Sequence, residues 1–167
     1  MAESGFDQRE LRSALGRFAT GVTIVTAKTD DGTYVGITVS SFNTVSLEPP
    51  LVLWSLDRGS GTLPVFESAS HFAVSVLGVE QIELSNAFAS RDDDKFDGVE
   101  CDEGAGGAPL IPGSLATFQC RNAHRHDGGD HVIFVGEVEA FERRDGDALL
   151  FHDGAYCVAS PHASGGD

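Results

Sequence analysis

The sequence is short of positive charge: 11 lysines and arginines stand against 26 aspartates and glutamates in 167 residues, a formal net charge of -15. A nucleic-acid surface needs clustered cations to displace counterions from phosphates, so that class is excluded. An acidic exterior also repels anionic ligands at long range, which makes the few scattered cations candidates for holding a phosphate. Cysteine is scarce too. Cys101, Cys120 and Cys157 are odd in number and lack C-x-x-C pairing, which speaks against zinc and dithiol-redox sites and fits reduced thiols in the cytoplasm. No apolar run approaches the ~20 residues of a membrane span. Asp7, Arg9, Glu10 and Arg12 interrupt the apolar stretch that a signal peptide would need. The G-K-[ST] phosphate loop, H-E-x-x-H and G-x-S-x-G are absent as well. Gly104 to Gly107 is no dinucleotide fingerprint, because no strand precedes it and Pro109 follows where a helix should open.

What is present is ordinary globular material, 41% hydrophobic and 22% charged, of a length that one core serves. Asp7 and Glu10 resemble a capping box, and Leu11, Ala14, Leu15 and Phe18 recur at helical spacing, which predicts a helix over Gln8 to Ala19 stopped by Gly21. Gly21 to Ala27 and Tyr34 to Phe42 flank the turn signal Asp30-Asp31-Gly32 and read as a hairpin. Strands are expected over Leu51 to Leu56, His71 to Leu77, Ala116 to His126, His131 to Phe141, Ala148 to His152 and Ala155 to Val158. Helices are expected near Leu63 to Ser68 and over Glu80 to Ala89. Arg91 to Gly113, rich in Asp, Gly and Pro, is a long irregular stretch of the kind that often carries function. Many short antiparallel strands with a few helices point to a mainly β fold, a barrel. Residues 1–10 read as a tail and helix start, 11–159 as the domain, and 160–167 as a disordered tail.

Four places offer chemistry. Gly36 to Pro50 gathers hydroxyls, small residues and exposed amides leaving a strand, which suits a flat heteroatom-rich ring; Thr and Ser also simply suit a half-exposed strand. Asp57-Arg58-Gly59-Ser60-Gly61-Thr62 lies between a strand and a short helix, where amides, hydroxyls and one cation gather around a phosphate or merely make a surface turn. Arg91 and Lys95 either supply phosphate charge or neutralise Asp92, Asp93 and Asp94. His131, after Gly128-Gly129-Asp130, either touches a ligand at the barrel rim or is a hydrogen-bonded structural residue. Alternation puts His124 and His126 on the Phe118 face, but no carboxylate completes a metal site, and none is assigned.

Taken together, Leu15 to Thr23, Gly36 to Phe42, Val45 to Val52, Phe72 to Leu77, Lys95-Phe96, Gly129-Asp-His131 and Leu149 to Phe151 resemble the short-chain flavin reductases. These are the reductase components of two-component flavin monooxygenases, with an antiparallel split β-barrel of the FMN-binding type. The resemblance runs from about Leu11 to Tyr156. It implies a homodimer that reduces FMN or FAD with NADH or NADPH and supplies reduced flavin to a separate monooxygenase. Thr38, Val39, Ser40 and Ser41 would line the isoalloxazine, with Ser40 standing where many relatives carry Asn. Ser55, Leu56, Asp57, Arg58, Ser60 and Thr62, together with Lys95 and Arg91, would serve the ribityl phosphate, and Phe96 would belong to the cofactor-binding set. His131 would approach the nicotinamide as the catalytic residue, and Phe151 and Gly154 would join the cofactor set. A flavin-carrying electron store and a single-component flavin oxidase of the same fold are the competing readings.

Overall fold

The computed structural model describes residues 5–162, so most of the tail expected from residue 160 lies outside the described residues. Asp7 caps the first helix, α1 (Gln8–Leu15), its carboxylate accepting from the amides of Arg9 and Glu10. The helix ends at Leu15 instead of Ala19. Gly16 is its C-cap, and the amides of Arg17 and Phe18 reach back to Ala14 and Leu15, which tightens the last turn. That turn sends the chain into β1 (Thr20–Gly21), which pairs with β11 (Leu149–His152) and leaves no room for another helical turn.

The remaining strands are β2 (Thr23–Lys28), β3 (Tyr34–Val39), β4 (Asn43–Leu47), β5 (Pro50–Asp57), β6 (His71–Val76), β7 (Asp102–Glu103), β8 (Pro109–Leu110), β9 (Ala116–Gly128), β10 (His131–Arg143) and β12 (Ala155–Val158). Helix α2 (Leu63–Ser68) follows β5, and α3 (Ile82–Ala89) follows β6 after a short tighter turn at Val79–Gln81. Seven strands form one antiparallel sheet in the order β3-β2-β6-β9-β10-β5-β4. A side chain links the end of β3 to β5, which no backbone ladder joins. Ser41 Oγ donates to the Ser55 carbonyl at 2.9 Å and accepts from the Ser55 amide at 3.0 Å, fastening the end of β3 to β5.

Both faces of β2 are covered, which is why its sequence reads as an unbroken β-branched run. One face joins the barrel core of Val25, Val52, Trp54, Phe66, Phe72 and Phe134, where Trp54 stacks on Phe134 at 4.8 Å. The other face places Ile24 in a second cluster with Leu77, Phe88, Ile111 and Leu149. That second cluster seats α3 outside the barrel, beside β3. Burial in the first core pushes the Cys120 thiol up to about 12.

One sequence expectation is reversed by a bulge. His124 pairs with Val135 and Asn122 with Gly136, so Ala123 is an extra residue in β9. The inserted residue flips the alternation, and His124 and His126 stand on the Arg121 side, opposite Phe118 and Cys120. Their rings lie 6.3 Å apart, and among the described residues no group of three or more metal-ligating side chains assembles.

Candidate active site

Strand β3, the Asp57 to Thr62 turn and the segment from Ala89 to Phe96 enclose a cleft of about 940 Å³, at the upper end of the range for small-molecule sites. Six residues singled out from sequence line it: Asp57, Ser60, Thr62, Arg91, Lys95 and Phe96. Gly36 forms part of its floor because no side chain fits there. A Cβ on Gly36 would sit 2.6 Å from Phe88 Cε1 and 3.3 Å from Phe96. With hydrogen in that place, the Phe88 and Phe96 rings meet edge to face at 4.9 Å.

Lys95 is the cation of this floor. Its ammonium donates to the carbonyls of Phe88 at 3.0 Å and Gly36 at 3.3 Å, so two of its three N–H groups tie α3 to β3. Burial holds its pKa below the ordinary lysine value, against the opposing pull of Asp92 and Asp93. Across the cleft, Asp57 accepts from the Gly59 amide at 2.6 Å, and the hydroxyls of Ser60 and Thr62 meet at 2.9 Å. Asp57, Asp92 and Asp93 bring carboxylates to the same lining as Arg91 and Lys95. A phosphate held here gains one or two charge-assisted hydrogen bonds and feels repulsion around them, a balance suited to a ligand that must leave.

The other expected residues are distributed around this cleft. Thr38 Oγ1 donates to the Ser85 carbonyl at 2.7 Å, and Val39 packs against the barrel core. Ser40 is exposed beyond the end of β3, while Ser41 and Ser55 form the bridge between β3 and β5. Leu56 is buried in the core. Arg58 turns away from the cleft lining: its Nε donates to the Gly129 carbonyl at 3.1 Å and its guanidinium pairs with Asp127, which binds the end of β5 to the β9–β10 turn. Phe151 lies on β11 against Tyr156, with ring centres 5.7 Å apart, and Gly154 makes the following turn at φ +81°.

His131 opens β10 directly opposite Asp57 on β5, one strand from the cleft wall. Its Nδ1 lies 2.7 Å from Asp130 Oδ1. That hydrogen bond holds the Asp130 pKa below the ordinary carboxylate range. An ionised carboxylate only accepts, so Nδ1 carries the proton of this bond and Nε2 of the neutral ring is an acceptor.

Sequence reasoning missed the outer wall of the cleft. Tyr34 lines it, and Tyr34 OH donates to Glu103 Oε1 at 2.5 Å across 69 positions of chain. Nothing local in the sequence joins Tyr34 to Glu103.

Comparison with known proteins gives this geometry a lineage. The flavin reductase like domain model matches residues 15–160. The chain is 50% identical over 152 residues to an FMN reductase (NADH), SmoA, of Agrobacterium fabrum, covering 91% of this chain and 86% of that protein. It is 42% identical over 162 residues to HsaB, a flavin-dependent monooxygenase reductase subunit of Rhodococcus jostii, covering 96% and 83%. Among solved structures, the NADH:FAD oxidoreductase SgcE6 of Streptomyces globisporus, in complex with NAD and FAD fragments, superposes with a TM-score of 0.89 at 37% identity, covering 98% of this chain and all of that one. The match over 15–160, carried by the strands and helices that build the cleft, makes this chain a member of the flavin reductase like family.

Proposed function

We propose that this protein is an NADH-dependent flavin reductase that supplies reduced flavin to a separate monooxygenase. The observation that carries the reading is the cleft itself: a part-buried ammonium, tied by two carbonyls, lies beside an aromatic wall, in a chain of this family. When bound, the flavin and the nicotinamide supply the redox chemistry, with hydride passing from nicotinamide C4 to flavin N5.

The chain's own residues bind, orient and shield. Lys95 and Arg91, with the Ser60 and Thr62 hydroxyls, hold the phosphate end. Backbone groups around Thr38 to Ser41 hold the isoalloxazine where β3 leaves the sheet, and the Ser41 to Ser55 bridge fixes that segment. His131, oriented by Asp130, presents Nε2 toward the nicotinamide side as a hydrogen-bonding group. Rate then comes from holding two rings in contact, and no side chain acts as a nucleophile.

The protein works as a homodimer in the cytoplasm. Large apolar side chains left in water support the dimer, including Leu47 at 93% exposure and Phe141 at 67%. Three free cysteines suit a reducing compartment, and among the described residues no helix is long and apolar enough to cross a membrane.

The direct test is anaerobic stopped-flow absorbance of the protein with FMN or FAD, mixed with NADH and separately with NADPH. Rapid bleaching of the oxidised flavin band with NADH is expected. Persistence of that band with both nucleotides, despite flavin binding, would favour an electron store or an oxidase.

A further inference from the structure

The cleft has an order along β3. Thr38 stands just past the inner end of its lining; Gly36, two residues toward the start of the strand, receives Lys95 Nζ on its carbonyl; Tyr34 stands two residues further out. All three face α3 and its neighbours, because strand residues alternate. Each two-residue step advances ~6–7 Å, so Thr38 and Tyr34 are separated by ~13 Å with the ammonium between them.

Tyr34 is held on three sides. Its hydroxyl donates to Glu103 Oε1 at 2.5 Å, its ring lies 5.5 Å from that of Phe96, and Lys28 Nζ sits 5.6 Å from its centroid. The same Glu103 oxygen accepts from Lys28 at 2.5 Å. Glu103 is delivered by the β7–β8 pair, which Thr26 Oγ1 anchors through the Pro109 carbonyl at 2.6 Å and Gln119 through the Ala105 amide at 2.9 Å. The C-terminal part of the long irregular stretch therefore supports the Tyr34 ring at the cleft wall.

A mononucleotide cannot use that ring. The ribityl chain of FMN ends at its phosphate, so an aromatic face one step beyond the ammonium is out of its reach. A ligand with a second flat ring beyond its phosphates reaches it, and an uncharged ring is what the neighbouring carboxylates of Asp92, Asp93 and Glu103 tolerate. We propose that Tyr34 and Phe96, with Glu103 as a positioning residue, form an adenine platform that selects dinucleotides over mononucleotides. The inference rests on the reading of the cleft as the flavin and nicotinamide site. Two dinucleotides carry the adenine, FAD and NADH.

The experiment measures binding of FAD and FMN by calorimetry, and KM for NADH and for reduced nicotinamide mononucleotide, in the wild type, Tyr34→Ala, Tyr34→Phe and Glu103→Gln. If the adenine is that of FAD, Tyr34→Ala weakens FAD about tenfold more than FMN, within the range of base–aromatic stacking. If it is that of NADH, the same variant raises KM for NADH about tenfold more than for the mononucleotide. Tyr34→Phe keeps the ring and most of the selectivity, whereas Glu103→Gln lowers it, weakening the dinucleotide of the affected pair more than its mononucleotide. Equal changes for both members of each pair, or no change, overturn the platform. Should Tyr34→Ala fail to fold, the wild type decides: adenosine monophosphate must bind and compete with one of the two dinucleotides, and its failure to do so overturns the proposal. Wild-type protein that binds adenosine monophosphate but turns over no flavin would refute the reductase reading while leaving the platform standing.

Discussion

At the scale of the residue, Lys95 and Gly36 carry the sharpest predictions. The fold disfavours the charged form of Lys95, whose ordinary value is 10.5, so its pKa in the folded protein lies below that in the unfolded chain. The consequences for folding and binding have opposite signs. As pH rises through the lowered value, the fold is relieved of a buried charge and its stability relative to the unfolded chain increases. Over the same window the proposed phosphate site loses its cation, and flavin affinity is expected to fall. Titrating flavin binding and denaturant unfolding in parallel between neutral and alkaline pH checks this: relative to the wild type, Lys95→Met is expected to lose the rising contribution to stability and the fall in flavin affinity, while weakening flavin binding. Gly36→Ala forces a Cβ to within 2.6 Å of the Phe88 ring, and overpacking of this kind costs about 1–3 kcal/mol. The expected readout is a melting temperature lowered by several degrees, with loss of flavin binding as the Phe88 and Phe96 rings separate.

At the scale of the element, the structure depends on a connection that strand periodicity does not describe. Ser41 Oγ satisfies both the amide and the carbonyl of Ser55, so Ser41→Ala leaves two part-buried backbone groups without that partner. The expected loss is about 1–3 kcal/mol, read as a shift in the urea midpoint at unchanged slope. Ser41→Thr, which keeps the hydroxyl, is expected to recover much of it. The same reasoning explains what was legible in sequence. Strands β2, β6, β11 and β12 and helix α2 were readable because burial and turn chemistry impose local patterns on them. Strand β4 was not, because Asn43–Leu47 is largely exposed and pairs through an irregular register with β5 alone, leaving no alternation to read. The β9 bulge at Ala123 was likewise invisible, since one inserted residue carries no signal of its own. For the site, the cations and hydroxyls were found as residue types in suggestive loops. Their sorting into cleft wall, barrel bridge and turn anchor depends on which partner each meets across the sheet: Lys95 meets two carbonyls, Ser41 meets Ser55, and Arg58 meets Asp127.

At the scale of the whole molecule, two opposed forces bear on the proposed homodimer. The surface leaves Leu47, Phe18, Phe6 and Phe141 in water at 93%, 75%, 73% and 67% exposure. Helix α1 buries none of its residues, although Leu11, Leu15 and Phe18 share one side of the helix and the turn after it. Burying such side chains against a second copy is favourable by about 25 cal/mol per Å² of apolar surface. Against this stands the net charge of -15 on each copy, which repels at long range. Salt weakens only the repulsion, because screening shortens its reach from ~30 Å at 0.01 M to ~8 Å at 0.15 M while apolar burial is little affected. The proposed homodimer is therefore expected to tighten as ionic strength rises, the reverse of an assembly held by ion pairs. Sedimentation velocity across that salt range checks it: the dimer fraction at a fixed low protein concentration should increase with salt. Leu47→Asp, which adds charge to an exposed apolar position on the edge strand β4, should weaken the dimer at every salt concentration without lowering the melting temperature of the monomer. A dimer that instead dissociates on adding salt would place its stability in ion pairs and contradict the apolar interface.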